Sequence, residues 1–325
     1  MTFDQNYSSF LRVQNTAKFQ YNGISAGLFQ DPIRNQFYDH ILKECKGKRC
    51  IDVGSGSGML AFIALKHGAK HVTCFEQNPK SASHIRNAAK RMKLSKKITV
   101  INDEFRASKY NSYGLKNIDL IFHEVIGSYI WNETMHSSFD VPLPIRIIPS
   151  YYDIRFSILN LTQDQYNELI NLEVSPTLSE PFNLGIDLPS EFSEYYQDVI
   201  KSTSYLYHSP AHILDIQKHA FNLLKSFYDV NQMQLVGTHR FDINDHEHYK
   251  TRRVIQFKLP QTDDPYLIVI RPFFYCSEDL VFDFKIMSAF TGYYRPIIVP
   301  PQSCHRAFRY RIFENDMKID KLWIK

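Results

Sequence analysis

Hydrophobic and polar positions follow two different patterns along the chain, and the change falls near Pro149. Between residues 48 and 148, short apolar runs alternate with segments of helical spacing, which predicts βαβ units built on a parallel sheet. The helical segment at 59–68 stops at Gly68, and Asn78-Pro79 opens the next helix, with Asn as the cap and Pro in the first turn. The predicted buried strands are CIDV at 50–53, HVTCF at 71–75, KITVI at 97–101 and IDLIFH at 118–123.

Aromatic, strand-like stretches dominate the chain after Pro149, where helical signals are fewer. This pattern predicts an antiparallel sandwich or barrel, interrupted by helix-like, acidic and aromatic sequence at residues 163–208. A chain of 325 residues exceeds what one core usually serves, so we expect two domains that meet at a tight boundary near residues 148–150. The strand-like stretches are YYDIRFSIL, VIQFKL, YLIVIRPFFYC, LVFDFKIMSAF and RAFRYRIF.

The composition narrows the class of protein. Hydrophobic residues make up 44% and charged residues 22% of the chain, close to the averages of folded soluble proteins, which excludes a disordered or fibrous chain. No apolar run reaches the roughly 18–20 residues of a bilayer span, and the N-terminal sequence lacks a secretory signal pattern, so we expect no membrane and a cytoplasmic location. The five cysteines show no C-x-x-C spacing, which argues against a disulfide framework or a zinc site, and no metal is predicted.

The charge of the chain is mildly basic, with a net value of +4 and a pI of about 8.6. This is below the strong bias expected of a dedicated nucleic-acid binder, and no specific nucleic-acid partner is predicted. Positive residues do concentrate in the segment from Arg86 to Lys97. An acidic partner is one interpretation of that segment, and a solvated helix face is the simpler one, which we favour.

A glycine-rich loop, Asp52-Val53-Gly54-Ser55-Gly56-Ser57-Gly58, joins the first predicted strand to the following helix. Glycines such as Gly54 and Gly56 let the backbone turn sharply and approach a ligand closely. Glu76 lies 24 residues after Asp52, just past the second strand, where a carboxylate can accept both hydroxyls of a ribose. The two features together favour an adenosine-containing cofactor.

The loop also distinguishes between nucleotide cofactors. A P-loop needs Gly-Lys-Ser/Thr where this chain has Gly58-Met59-Leu60, and an NAD loop needs its third glycine one residue later. The carboxylate of Asp52 disfavours a pyrophosphate but suits a cationic ligand such as S-adenosylmethionine, with its sulfonium and amino groups. A tight turn without a ligand is the alternative interpretation.

Two glutamates nine residues apart, Glu124 and Glu133, follow the fourth predicted strand in the sequence HEVIGSYIWNETM. Carboxylates at the C-terminal end of a parallel sheet face the ligand crevice, and Gly127 allows the loop between them to fold back. Two converging carboxylates suit a planar cation such as guanidinium. The spacing alone also fits two solvated loop glutamates.

Taken in order along the chain, these motifs resemble those of the protein arginine methyltransferase family. CIDVGSGSGML is similar to the family's first motif, Glu76 falls at its ribose-binding acid, and HEVIGSYIWNETM is similar to its double-glutamate loop. Upstream, LFQDPIR at 28–34 resembles the helix that folds over the cofactor, and IIPSYYDIRFSIL resembles the exit into the family's β-barrel. The resemblance covers about residues 19–158.

The resemblance implies an α/β fold of the class I methyltransferase type. An N-terminal helical segment at 1–45 would cover the cofactor, and a Rossmann-like, S-adenosylmethionine-binding domain would span 46–148. A β-barrel-like domain would span 149–325. Residues 163–208 fall where the family carries a dimerisation arm, which implies a homodimer.

The resemblance also implies roles for individual residues. Glu124 and Glu133 would hold the acceptor guanidinium, and His305 would pair with Asp31. Arg34 would pair with the methionyl carboxylate of the cofactor. The remaining cofactor-binding residues implied are Asp52, Gly54, Gly56, Glu76, Phe105 and Met135.

The chain departs from the family pattern in two loops. Arg106 stands where the family has an acid that contacts adenine, and Glu104 serves instead if that loop is shifted. Cys304-His305-Arg306 best matches the family's Thr-His-Trp loop, and Thr238-His239-Arg240 is a rival match. His305 is equally compatible with a structural histidine.

The function indicated is S-adenosylmethionine-dependent N-methylation of the guanidino group of arginine in a protein or peptide. Two alternatives stay open: the acceptor is free arginine or another small guanidine, or the chain is a catalytically weak partner subunit of an arginine methyltransferase. Amino-methylation of nucleic acid is less favoured, because Glu-Val-Ile-Gly follows the fourth strand where those enzymes have Asn/Asp-Pro-Pro-aromatic.

Overall fold

The computed structural model describes residues 32–125, 145–170, 234–242, 253–275, 281–283, 295–299, 307–313 and 316–318 of the chain. Its first half contains a five-stranded sheet in the order β3-β2-β1-β4-β5, with every neighbouring pair parallel. This order confirms the predicted Rossmann-like α/β domain, and four of the strands coincide with the predicted ones to within two residues. The strands are β1 (Arg49–Val53), β2 (His71–Phe75), β3 (Ile98–Ile101), β4 (Leu120–His123) and β5 (Arg146–Ile148).

The helices of this half are α1 (Pro32–Ile41), α2 (Met59–Lys66) and α3 (Pro79–Arg91), with short 3₁₀ helices at Leu42–Cys45 and Ala107–Tyr113. Seven of the eight residues of α2 are buried, which explains why its sequence is apolar all round. The predicted cap of α3 is confirmed, since the Asn78 Oδ1 atom accepts hydrogen bonds from the main-chain nitrogens of Lys80 and Ser81 at 2.9 and 3.3 Å.

Antiparallel strands follow Pro149, as the sequence predicts. The central pair is β6 (Tyr151–Asn160) with β9 (Tyr266–Tyr275), joined by β7 (Gln234–Asp242), β10 (Val281–Asp283) and β11 (Arg295–Val299). A second sheet contains β8 (Arg253–Lys258), β12 (Ala307–Phe313) and β13 (Asp316–Lys318). Helix α4 (Gln163–Ile170) follows β6 and is the described part of the predicted arm. Closure of these strands into a barrel, and the rest of the arm, stay predictions.

One hydrophobic cluster joins the two kinds of sheet. It contains buried side chains of β1, β2 and β4 together with Phe156, Tyr266 and Ile268 from the antiparallel strands. The rings of Phe156 and Phe257 lie 4.4 Å apart between centroids. Gly237 of β7 lies directly against the Phe257 ring, where a Cβ atom would overlap it, so only glycine allows this approach. The core therefore continues across the predicted boundary near residues 148–150.

Cys45, Cys50 and Cys74 are buried and unbridged. Among residues with a described position, no cluster of three or more His, Cys, Asp or Glu side chains could hold a metal ion. None of the helices whose positions are described is long and apolar enough to cross a bilayer.

Candidate functional site

The loops after β1, β2 and β4 meet at the C-terminal edge of the parallel sheet. The acidic residues that were predicted from the sequence and have a described position lie in or next to these loops. β1 lies between β2 and β4, so the chain leaves it toward one side of the sheet and later returns to the other. Such a reversal opens a crevice at the ends of the strands, where ligands of open α/β sheets bind. Asp52 lies in β1, Glu76 follows β2 and Glu124 follows β4.

The loop after β1 is held by main-chain hydrogen bonds and requires glycine. The main-chain nitrogens of Gly54 and Ser55 both donate to the Phe75 carbonyl oxygen at 3.0 Å, which ties the loop to the end of β2. Gly54 has φ of +70°, and a Cβ atom there would lie 2.5 Å from Cγ1 of Val125. Glycine therefore lets the loop after β1 approach the loop after β4.

Glu76 holds two segments of backbone at this edge. Its Oε2 atom accepts a hydrogen bond from the Gly56 main-chain nitrogen at 2.7 Å, and Oε1 accepts one from the Asn78 nitrogen at 2.7 Å. The side-chain amide of Asn102 donates to the Glu76 carbonyl oxygen at 2.8 Å. Burial raises the pKa of Glu76, while the two main-chain hydrogen bonds act in the opposite direction. Each carboxylate oxygen has a second lone pair, so acceptance of ribose hydroxyls remains compatible with this geometry.

Asp52 is a buried carboxylate, 1% exposed, and neither of its carboxylate oxygens has a hydrogen-bond partner among the described residues. The Ser55 hydroxyl donates to the main-chain oxygen of Asp52 at 3.1 Å. Burial raises the pKa of Asp52 to about 7, and the negative charges of Glu76 and Glu124 add to this, while the nearby Ser55 hydroxyl and the charge of Arg34 lower it. Buried acceptors without donors are costly unless a ligand satisfies them, and a cation would do so here.

Glu124 forms an ion pair that the sequence analysis did not predict. Its Oε2 atom lies 2.9 Å from Nη2 of Arg34, and both side chains are nearly buried. The guanidinium of Arg34 also lies 5.1 Å from the ring centroid of Tyr38, one turn further along α1. Burial raises the pKa of Glu124, and the charge and hydrogen bond of Arg34 act in the opposite direction. The structure thus shows a guanidinium bound to Glu124.

Tyr38 and His123 position this edge, and neither was singled out from the sequence. The Tyr38 hydroxyl donates to the main-chain oxygen of His123 at 3.0 Å and so fastens α1 to the end of β4. The Nε2 atom of His123 lies 3.4 Å from the Pro149 carbonyl oxygen, and burial lowers the pKa of His123 to about 3, so the imidazole is neutral. Arg34 and Tyr38 are four residues apart and therefore lie on the same face of a helix, and this spacing is the sequence signal that links the two residues.

The loop after β3 contains Arg106, the residue at which the sequence departs from the family's adenine-contacting acid. Phe105 is buried, with its ring centroid 4.8 Å from that of Phe75 and 5.9 Å from that of Tyr113. The Arg106 side chain is 51% exposed, and its Nε and Nη2 atoms donate to Oε2 of Glu104 at 2.9 and 2.7 Å. The Glu104 carboxylate is therefore engaged by Arg106, and Phe105 forms part of an aromatic wall under the loop.

The remaining predicted site residues stay predictions. Asp31, Glu133, Met135 and His305 lie outside the described residues. The rival match Thr238-His239-Arg240 lies within β7, where Arg240 pairs with Asp153 through contacts of 2.8 and 3.1 Å.

The chain is similar in sequence to several known proteins. A family model described as "Conserved hypothetical protein 95" matches residues 29–124. Protein arginine N-methyltransferase 1 of Saccharomyces cerevisiae is 29% identical over 124 residues, 36% of this chain and 34% of that protein. The same enzyme of Oryza sativa subsp. indica is 27% identical over 121 residues, 36% of this chain and 30% of that protein. Histone-arginine methyltransferase CARMER of Drosophila ananassae is 26% identical over 165 residues, 46% of this chain and 30% of that protein.

These matches span about a third of the length of the curated relatives. The fold extends further. The crystal structure of PRMT6-SAH aligns with a TM-score of 0.55 at 15% identity, covering 90% of this chain and 98% of the other. A second PRMT6 crystal structure aligns with a TM-score of 0.53 at 16% identity, covering 89% and 93%.

Proposed function

We propose that this chain, a relative of the protein arginine N-methyltransferases, is an S-adenosylmethionine-dependent enzyme that methylates the guanidino group of arginine in proteins or peptides. The observation that carries this proposal is the contact between the Glu124 carboxylate and the guanidinium of the chain's own Arg34, 2.9 Å from oxygen to nitrogen. The buried carboxylates of Asp52 and Glu76 lie at the same edge of the sheet. Such a pocket combines an affinity for guanidinium with an affinity for a cationic cofactor.

The residues at this edge fit S-adenosylmethionine. The unpartnered oxygens of Asp52 suit its positively charged groups, and Glu76, with lone pairs directed from a rigid position, suits its ribose. The close packing at Gly54 keeps side-chain atoms out of the crevice between the loops. When bound, the cofactor supplies the methyl group that the acceptor nitrogen takes.

Glu124 then acts on the acceptor through charge. Arg34 contacts its Oε2 atom, so we assign Oε1 to the acceptor guanidinium, with Glu133 as the second carboxylate of the clamp. Two carboxylates localise the positive charge of the guanidinium on the nitrogens they contact, which leaves the third nitrogen more nucleophilic. In this proposal the His305–Asp31 pair disperses the proton that the acceptor nitrogen loses.

The assembly is a further part of the proposal. We assign residues 163–208 as a dimerisation arm and the antiparallel strands as a barrel-like domain, so that the enzyme works as a homodimer. The resemblance of the segment at β5 and β6 to the family's exit into its barrel supports the barrel-like domain, as does the similarity of fold to PRMT6 structures along most of the chain.

Methyl transfer by two matched glutamate variants tests the function. Purified wild type, with tritiated S-adenosylmethionine, is expected to label a Gly-Arg-rich peptide or histone in preference to free arginine. Glu124→Gln is expected to lower single-turnover labelling on the order of 10²–10³-fold, because the clamp loses a negative charge. The affinity for S-adenosylhomocysteine, measured by titration calorimetry, is expected to stay within a few-fold of wild type.

Glu44→Gln is the control, because Glu44 also pairs with an arginine, Arg146, at 2.9 Å, but at the opposite edge of the sheet. It is expected to keep wild-type labelling. Equal rates for wild type and Glu124→Gln would contradict the clamp, and labelling of free arginine alone would show that the acceptor is a small molecule.

A further inference from the structure

Positive charge is concentrated in one part of the parallel-sheet domain. Residues 46–97 contain twelve Lys and Arg side chains and only two acids, Asp52 and Glu76, both of which are buried at the candidate site. The whole chain carries a net charge of +4, so the rest of it is negative on balance. The mild total therefore conceals a strongly basic segment.

Seven lysines of this segment lie at the edge of the sheet opposite the candidate site, and we call them the basic face. The neighbouring strands β1, β2 and β3 are each directly preceded by a lysine, namely Lys48, Lys70 and Lys97. Neighbouring strands are about 4.8 Å apart, so these three positions fall within about 10 Å along the edge. The basic face comprises Lys46, Lys48, Lys70, Lys90, Lys93, Lys96 and Lys97.

Main-chain hydrogen bonds connect several of the segments that carry these lysines. The Lys70 nitrogen donates to the Lys48 oxygen at 2.8 Å, and the Val72 nitrogen donates to the Lys97 oxygen at 2.9 Å. In the turn after α3, the Lys93 nitrogen donates to the Lys90 oxygen at 3.1 Å. Lys48 is half-buried and the other six lysines are exposed. The described lysine ion pairs involve Lys66 and Lys109, neither of which belongs to this face.

We propose that the basic face binds the sugar-phosphate backbone of a double-stranded nucleic acid without reading its sequence. A row of exposed lysines neutralises phosphates and releases their counterions, which is the sequence-independent part of nucleic-acid binding. Seven lysines are comparable to the roughly 6–10 phosphate contacts that make such binding strongly dependent on salt.

The composition of the face favours a duplex over other acidic partners. A protein interface needs an apolar or aromatic centre and is depleted in lysine. Leu235, the large hydrophobic residue exposed on the described surface, lies outside this segment. Single-stranded nucleic acid is bound by stacking bases on aromatic rings, but the aromatic residues of 46–97 are Phe62 and Phe75, and both are buried. Binding to the phosphate backbone of a duplex requires neither an apolar centre nor exposed aromatic rings.

The basic face and the candidate site lie at opposite ends of the strands, and the proposal for the basic face does not depend on the proposed enzyme function. The site edge carries Asp52, Glu76 and Glu124, so it repels a polyanion, and the basic face lies at the other end of the strands. A bound duplex therefore leaves the candidate site accessible. This arrangement would bring the site close to proteins that share the same nucleic acid.

Fluorescence anisotropy with labelled RNA and DNA duplexes of about 20 bp, at salt concentrations from about 50 to 200 mM, tests this inference. Duplexes of unrelated sequence are expected to bind equally well, and comparison of RNA with DNA shows which backbone is preferred. The triple variant Lys90→Gln, Lys96→Gln, Lys97→Gln is expected to weaken binding about tenfold or more and to lower the salt slope by about 1 for each lysine.

The triple variant Lys80→Gln, Lys109→Gln, Lys258→Gln is the matched control, because it removes the same charge from exposed lysines outside the basic face. It is expected to bind duplexes like wild type, and both triple variants are expected to keep wild-type circular dichroism. Equal losses in the two variants, or no binding of any duplex at the lowest salt, would overturn the proposal. Tighter binding of single strands, or binding of polyglutamate in place of duplexes, would also overturn it.

Discussion

At neutral pH the Asp52 carboxyl is divided between its charged and neutral forms, because burial raises its pKa to about 7. A cationic ligand interacts with the charged form, and the apparent affinity falls in proportion to the fraction of protein in that form. Between about pH 8 and pH 6 the charged fraction of such a group drops about tenfold. We therefore expect the affinity for S-adenosylhomocysteine, which keeps a cationic amino group, to fall about tenfold over this range.

Titration calorimetry of wild type, Asp52→Asn and the control Asp263→Asn would measure this dependence. Asp52→Asn is expected to bind more weakly and to lose most of the change with pH, whereas Asp263, an exposed carboxylate, is expected to be replaceable without effect. A pH dependence that survives in Asp52→Asn would assign the titration to another group.

The stability of the ligand-free protein is expected to change in the opposite direction. The pKa of Asp52 is higher in the folded protein than the roughly 3.9 of an unfolded chain, so its contribution to stability is full below about pH 4 and is lost as the pH rises through about 7. Relative to wild type, Asp52→Asn should gain on the order of 2–4 kcal/mol in free energy of unfolding from low to neutral pH. Urea denaturation at both pH values measures this difference.

Individual residues also show what sequence could and could not predict. Asp52 and Glu76 were found because a strand, a glycine loop and a second acid have a fixed spacing. The ion pair of Arg34 and Glu124 could not be predicted, because the two residues are 90 positions apart in sequence and meet only where α1 crosses the end of β4. The raised pKa of Asp52 follows from burial, which no local motif reports.

Among the structural elements, the contact between the loops after β1 and β4 sets the shape of the candidate site. Gly54 and Gly47 offer a matched test, because φ is +70° at Gly54 and +74° at Gly47. Alanine at either position is expected to cost about 1 kcal/mol in stability for the left-handed backbone. A Cβ atom at Gly54 would also displace Val125, whereas one at Gly47 would meet no atom within 4 Å.

We therefore expect Gly54→Ala to lower the affinity for S-adenosylhomocysteine about tenfold or more, since Val125 is next to Glu124 and a 1.4 kcal/mol change is tenfold. Gly47→Ala should bind like wild type, with a similar loss of thermal stability from its backbone. Calorimetry and thermal denaturation of both variants give the comparison. Equal affinities would show that the two loops need not approach closely for binding.

The elements themselves were predicted well where their burial is uniform. β1, β2 and β4 are buried almost throughout, so they read as continuous apolar runs between turn residues. The start of α3 was predicted because Asn78 and Pro79 are specific to helix N-termini. The pairing of β6 with both β7 and β9 could not be predicted, because the chain separates these strands by long segments with no local signal for their order.

On the scale of the whole molecule, the parallel sheet and the antiparallel sheets share one hydrophobic core, so we expect them to unfold together. Phe156 is buried in β6 against Phe257 and belongs to the same cluster as the strands of the candidate site. Phe156→Ala is expected to lower the free energy of unfolding by about 3–5 kcal/mol. Because the core is continuous, the loss of S-adenosylhomocysteine binding on heating should coincide with the loss of far-UV circular dichroism.

Leu235→Ala, at an adjacent but 54% exposed position, is the control and should change stability by less than about 0.5 kcal/mol. Two separate transitions, with cofactor binding unchanged in Phe156→Ala, would show instead that the parallel-sheet domain folds on its own.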